Sequence, residues 1–185
     1  LARIVGYVMR HGSTAISPAP EGWKPIGLSR EGWGEAQAGA DFLEQFIREG
    51  APKPDWGISS DLPRAEQTLA IVADSLHIPV LHALTDLRAF EEKAETPARY
   101  EERNAEAFGN ILTTAAKSNS VPLIVCHRSS SGFLGKKHKI LSRDPDYRYD
   151  ALLLEGGILA LTDCGIMPLF RAIESNWPEH LRCQS

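Results

Sequence analysis

The chain has 185 residues, 43% of them hydrophobic and 24% charged, with a net charge of −4. That length and balance suit one globular domain over residues 1–185, large enough for a substantial core. The slight negative excess argues against a general nucleic-acid or membrane binder, and no apolar run reaches the ~20 residues that a membrane-spanning helix needs.

Residues 3–9 read as a strand that opens directly onto Arg10-His11-Gly12. In open α/β sheets ligands bind at the C-terminal ends of strands. An arginine there attracts an anion and disfavours an imidazolium, so His11 would be a neutral imidazole beside an anion, which is a potential nucleophile. Residues 13–28 are rich in Pro and Gly and read as a loop. Ser29 is expected to cap a helix reaching about Glu49, with Ala36, Ala40, Leu43, Phe46 and Ile47 along its apolar stripe and Trp33 in the core.

A short strand at 55–58 leads into a second helix. Ser60 or Asp61 is expected as its cap and Pro63 in its first turn, where backbone N–H groups beside Arg64 favour an anion. Pro79 to Leu84 reads as another short strand, and 96–117 as a helix with Tyr100, Ala107, Phe108, Ile111 and Leu112 inward. The apolar run 121–126 ends in His127, and Ser129 to Ser131 open a helix reaching about Leu141. Within 151–170, Leu152–Leu154, Ile158–Leu161 and Ile166–Phe170 read as strands around a Gly156-Gly157 turn. Strands alternating with helices predict a three-layer α/β/α sandwich around a mostly parallel, mixed central sheet.

Taken singly, His11 and His127 read as satisfied strand-end histidines and Arg64 as a solvated helix residue. Together Arg10-His11-Gly12, Ser60-Asp61-Leu62-Pro63-Arg64-Ala65-Glu66-Gln67-Thr68 and the late strand ending in His127 resemble the histidine phosphatase superfamily, also called phosphoglycerate-mutase-like. Residues 27–38 resemble that family's Leu-Thr-x-x-Gly-x-x-Gln-Ala helix, with Glu35 where the Gln would fall. The resemblance spans roughly residues 3 to 165. It implies a phosphatase acting on a small phosphorylated metabolite without metal or cofactor. His11 would become a transient phosphohistidine, and Arg10, Arg64 and His127 would bind the non-bridging oxygens. Gly12, Ser13, Thr14 and Ser60 would add backbone or hydroxyl donors. Positioned cations stabilise the charge that phosphoryl transfer spreads over those oxygens.

Two positions depart from the family pattern. The family's proton-donating Glu would fall on Ala89, which leaves Asp86, Glu91 and Glu92 as replacements, Glu91 weakly preferred. Arg128 stands where the family commonly has Gly; it would contact a second phosphate or point to solvent. The missing Glu keeps open a phosphate-ligand binding protein with weakened catalysis, and a phosphoglycerate-mutase-type phosphotransferase is the other alternative. The basic run Lys136-Lys137-His138-Lys139, with Arg143 beyond, is either a rim for a nucleotide or sugar phosphate or a solvated helix face. His77, His82 and His180 read as structural. Cys126, Cys164 and Cys183 lack metal-ligand spacing and read as reduced thiols of a cytoplasmic protein. Residues 1–9 are too short for a signal peptide, although a leader ahead of Leu1 stays open. A homodimer is equally open.

Overall fold

The computed structural model describes residues 3–16, 24–137 and 155–170. The expectations for Leu152–Leu154, the helix beyond Lys137, His138, Lys139, Arg143, His180 and Cys183 lie outside the described residues. Strands β1 (Ile4–Arg10), β2 (Trp56–Ser59), β3 (Pro122–Cys126), β4 (Ile158–Thr162) and β5 (Gly165–Phe170) form a sheet in the order β2-β3-β1-β4-β5. β2, β3 and β1 run parallel, while β4 is antiparallel to both β1 and β5. The mostly parallel, mixed sheet expected from the sequence is therefore present.

Helices α1 (Arg30–Arg48) and α2 (Pro63–Leu76) cover one face of the sheet, and α3 (Pro97–Lys117) and α4 (Arg128–Lys137) the other. The strands read as continuous apolar runs because both faces are buried. Side chains alternate between the faces with period two. Tyr7, Met9, Leu123 and Val125 join Leu43, Leu69 and Val72 in one core. Val8, Ile124 and Cys126 join Phe108, Ile111 and Leu134 in the other. Each such side chain, fully buried, contributes about 1.5–3 kcal/mol before chain entropy is counted.

Ser29 caps α1 as expected, its hydroxyl accepting the Gly32 N–H. Trp33 is 52% exposed rather than in the core, because the inward stripe of α1 runs through Gly32, Glu35, Ala36, Gly39, Ala40 and Leu43. The cap expected on α2 is absent: Leu62 takes that position without a side-chain bond, since Ser60 turns to His127 and Asp61 to Arg88. Residues 79–84 make isolated parallel bridges, Gly57 to Val80 and Ser60 to Leu84, instead of a strand, and Val80 and Leu81 are exposed. The chain then makes a short 3-10 turn over Thr85–Leu87.

Behind β1, the turn at Gly12 lies directly on the start of α1. A Cβ on Gly12 would stand 2.3 Å from the Gly32 carbonyl oxygen, and one on Gly32 would stand 2.0 Å from that of Ser13. Only glycine at both positions allows this backbone approach.

Candidate active site

β1, β2 and β3 end level. Arg10 is in register with Cys126, the His11 N–H donates to Cys126 O at 3.1 Å, and the Ser60 N–H donates to Val125 O at 3.0 Å. The residues that leave the three strands, His11, Ser60 and His127, therefore sit side by side. The two imidazoles meet edge-on, with centroids 5.0 Å apart. They open, with Arg10 and Arg64, into a cavity of about 700 Å³. Arg64 reaches it from the first turn of α2, and Arg128 from the first turn of α4.

His11 is buried, and its Nδ1 lies 2.7 Å from the carbonyl oxygen of Gly12. A carbonyl only accepts, so Nδ1 carries the proton and Nε2 keeps the lone pair. Burial first, then the charges of Arg64 and Arg10, lower the His11 pKa to about 3, against a raising contribution from the Gly12 carbonyl. His127 is pushed down as well, by burial, His11 and the arginines. Both rings are therefore neutral at neutral pH. His127 Nε2 lies 2.9 Å from the Ser60 hydroxyl, and its Nδ1 is buried with no hydrogen-bond partner among the described residues. The Arg10 guanidinium pairs with Glu155 in the turn before β4. That turn is pinned to the motif itself, with Arg10 N–H donating to Gly157 O and Gly156 N–H to His11 O.

This strand-end cluster falls largely within residues 7–89, which match the model of the histidine phosphatase superfamily (branch 1). That match covers a little under half of the chain, which is to that extent similar to the superfamily. No curated protein sequence matches it. By fold it is similar to the mycobacterial glucosyl-3-phosphoglycerate phosphatase solved with inorganic phosphate, at 18% identity and a TM-score of 0.61, over 90% of this chain and 97% of that one. It is also similar to an Agrobacterium tumefaciens protein assigned as the phosphohistidine phosphatase SixA (19%, TM-score 0.57, 86% and 92%). A third similar structure is the phosphoglycerate mutase of Thermus thermophilus (16%, TM-score 0.58, 89% and 97%). At these identities the likeness is one of fold.

The structure brings Arg10, His11, Arg64, His127 and Arg128 to one cavity. Ser60 lies beneath it, fully buried against His127. Ser13 and Thr14 do not line it. Ser13 gives its N–H (2.5 Å) and hydroxyl (2.9 Å) to Glu35, and Thr14 donates to Ile16 O. The Gly12 N–H is likewise spent on the Thr68 hydroxyl at 3.2 Å.

Neither Asp86 nor Glu91 lines the cavity. Asp86 is exposed on the 3-10 turn, and Glu91 accepts from the Lys93 N–H. Arg103 explains both placements. It grips the Glu95 carboxylate at two points and the carbonyls of Asp86 and Arg88, folding the loop so that Ala89 and Phe90 face inward. Among the described residues the carboxylate that lines the cavity is Glu101 on α3, 3.7 Å from the Lys137 ammonium.

Sequence reasoning missed Glu35, which braces the His11 loop; its signal was a charged residue on the buried stripe of α1. It also missed Glu155, which carries no local signal. Cys126 is fully buried and its thiol is pushed up to about 12, which removes it as a second nucleophile. A larger, mostly apolar cavity of about 1000 Å³ lies at the opposite end of the strands, around Ile4, Phe46, Leu112 and Met167, away from both imidazoles. Among the described residues no helix is long and apolar enough to cross a membrane, and no three His, Cys, Asp or Glu side chains converge as metal ligands would.

Proposed function

We propose that this chain is a phosphatase that hydrolyses the phosphomonoester of a small metabolite through a phosphoryl group carried on Nε2 of His11. The observation that carries the reading is the tautomer of His11. Its Nδ1 proton is committed to Gly12 O, which leaves the Nε2 lone pair on a neutral ring within a cluster of guanidinium groups. The lone pair forms the P–N bond as the P–O bond to the leaving group breaks. Arg10, Arg64 and Arg128 draw the dianion in and hold charge that grows on its oxygens. A phosphate oxygen reaching His127 would supply the hydrogen-bond partner its Nδ1 lacks, and the anion would raise the pKa of that ring. Water then attacks phosphorus, releasing phosphate and restoring neutral His11.

Replacing His11 by alanine should abolish both phosphoenzyme formation and turnover; undiminished phosphate release in His11→Ala refutes the mechanism. One observation favours a second reading, a phosphate-binding protein with weakened catalysis: Ala89 lines the cavity where a proton-donating carboxylate was expected. Such a protein would bind phosphate tightly and release almost none from any ester.

A further inference from the structure

Beside the histidines and arginines, the cavity lining carries an apolar set. Ala89, Phe90, Pro97, Tyr100 and Phe133 make up that set. It is fixed to the same turn that carries His127. The Phe90 N–H donates to the Ser129 hydroxyl at 3.1 Å, the Tyr100 hydroxyl donates to Ser130 at 3.3 Å, and the Phe90 and Tyr100 rings meet edge to face at 5.5 Å. Position, and not only composition, therefore couples the aromatic wall to the segment that carries His127.

Sugar hydroxyls need neutral donors and acceptors in a fan. Apart from the groups around the phosphate, the described lining residues offer two charged groups, Lys136 and Glu101, the latter paired with Lys137, and two hydroxyls already engaged, Ser129 with Phe90 and Tyr100 with Ser130, which is no fan of neutral partners. A leaving group on this side meets flat hydrocarbon. It also meets no carboxylate from residues 86–92 to protonate it, since Asp86 and Glu91 lie off the cavity. An alkoxide, derived from an alcohol about as weakly acidic as water, departs slowly without such help, whereas a phenolate, whose phenol has a pKa of about 10, departs readily.

We propose that the substrate is the phosphate ester of an aromatic hydroxyl, its ring lying against Phe90 and Ala89 while His11 attacks phosphorus. This rests on the phosphatase reading above. As the P–N bond forms, the P–O bond breaks with its electron pair leaving on the aryl oxygen, which takes its proton from water.

The test compares kcat/KM for phenyl phosphate, free phosphotyrosine, a phosphotyrosyl peptide, glycerol phosphate and glucose 6-phosphate. General acid help is worth about 10²–10⁴-fold, so the aryl esters should exceed the two alkyl esters by about 100-fold or more. The peptide and free amino-acid arms show whether the ring arrives on a protein or alone. Phe90→Leu, which keeps the volume and the backbone bond to Ser129, should lower kcat/KM for phenyl phosphate about 3- to 10-fold, mostly through KM, and lower that for glucose 6-phosphate by clearly less. Ala89→Glu should raise alkyl ester turnover and narrow the gap. Glucose 6-phosphate hydrolysed as well as phenyl phosphate, or Phe90→Leu lowering all esters alike, overturns the aryl assignment alone. Release from none of the esters overturns the phosphatase reading and this one with it.

Discussion

Removing Glu35 isolates the brace behind the nucleophile. Glu35 is 8% exposed, and its carboxylate accepts both the backbone N–H and the hydroxyl of Ser13, two residues beyond His11. Hydrogen bonds to a charged group contribute about 1.5–3 kcal/mol each. These two share one acceptor group, and Ser13 is half-buried, so water replaces part of the loss. Glu35→Ala should then cost about 2–3 kcal/mol, not the full sum. At about 2–4 °C per kcal/mol for a chain of this size, Tm should fall by about 4–12 °C. Glu35→Gln keeps an oxygen for the Ser13 N–H, and its amide can donate to the hydroxyl once that rotates, so it should lose no more than about a third as much. Turnover should follow the same order, with kcat falling more than KM, because the loop that aims His11 loosens while the arginines remain. Calorimetry of the three proteins, with phosphate release measured below the lowest Tm, checks both effects. If the alanine and glutamine variants melt together and turn over alike, Glu35 is not holding the loop.

Asp86→Asn and Glu91→Gln should each retain near-normal turnover, because neither side chain lines the cavity; a drop of about 10²-fold or more in either would return that carboxylate to the reaction as its acid. Stability should depend on pH through the two buried imidazoles. In the fold both titrate below their ordinary value of 6.5, His11 at about 3. The unfolded chain therefore takes up those protons first, so the fold keeps its full stability above about pH 6.5 and loses it progressively as pH falls toward 3. Urea midpoints at about pH 7.5 and about pH 5 measure this before most carboxylates titrate, and equal midpoints would contradict it.

The parts of the site legible in the sequence share one physical trait: backbone context fixed them. His11 and His127 each follow an apolar run buried between the helix layers, and such a run ends at one place, where the chain leaves the sheet. Arg64 follows a proline that suits the start of a helix. What was not legible depends on long-range side-chain choices. Asp86 and Glu91 look suitable in sequence until Arg103, on the next helix, draws their loop outward by gripping Glu95. Ser13 and Thr14 look like anion donors until Glu35 and Ile16 O take their protons. Trp33 looked apolar enough for the core, yet Gly32 and Ala36 sit where α1 must approach the backbone closely. The cationic half of the cavity was thus readable from strand ends, while its aromatic half, built from Phe90, Tyr100 and Phe133 on three separate segments, was not.

The level ending of β1, β2 and β3 has a consequence for how this protein tolerates change. Tyr7 faces Leu123 and Arg10 faces Cys126 across one ladder, and Ser59 faces Val125 across the next. Sliding β3 by one residue would displace His127 by about 3.3 Å and also send every side chain of that strand to the opposite face. Leu123 and Val125 would then exchange places with Ile124 and Cys126 in two differently shaped cores. The greasy interior thus acts as an error check on the spacing of the polar groups above it. A one-residue deletion inside β3, touching no chemical group, should disarm the protein more completely than many substitutions at the rim.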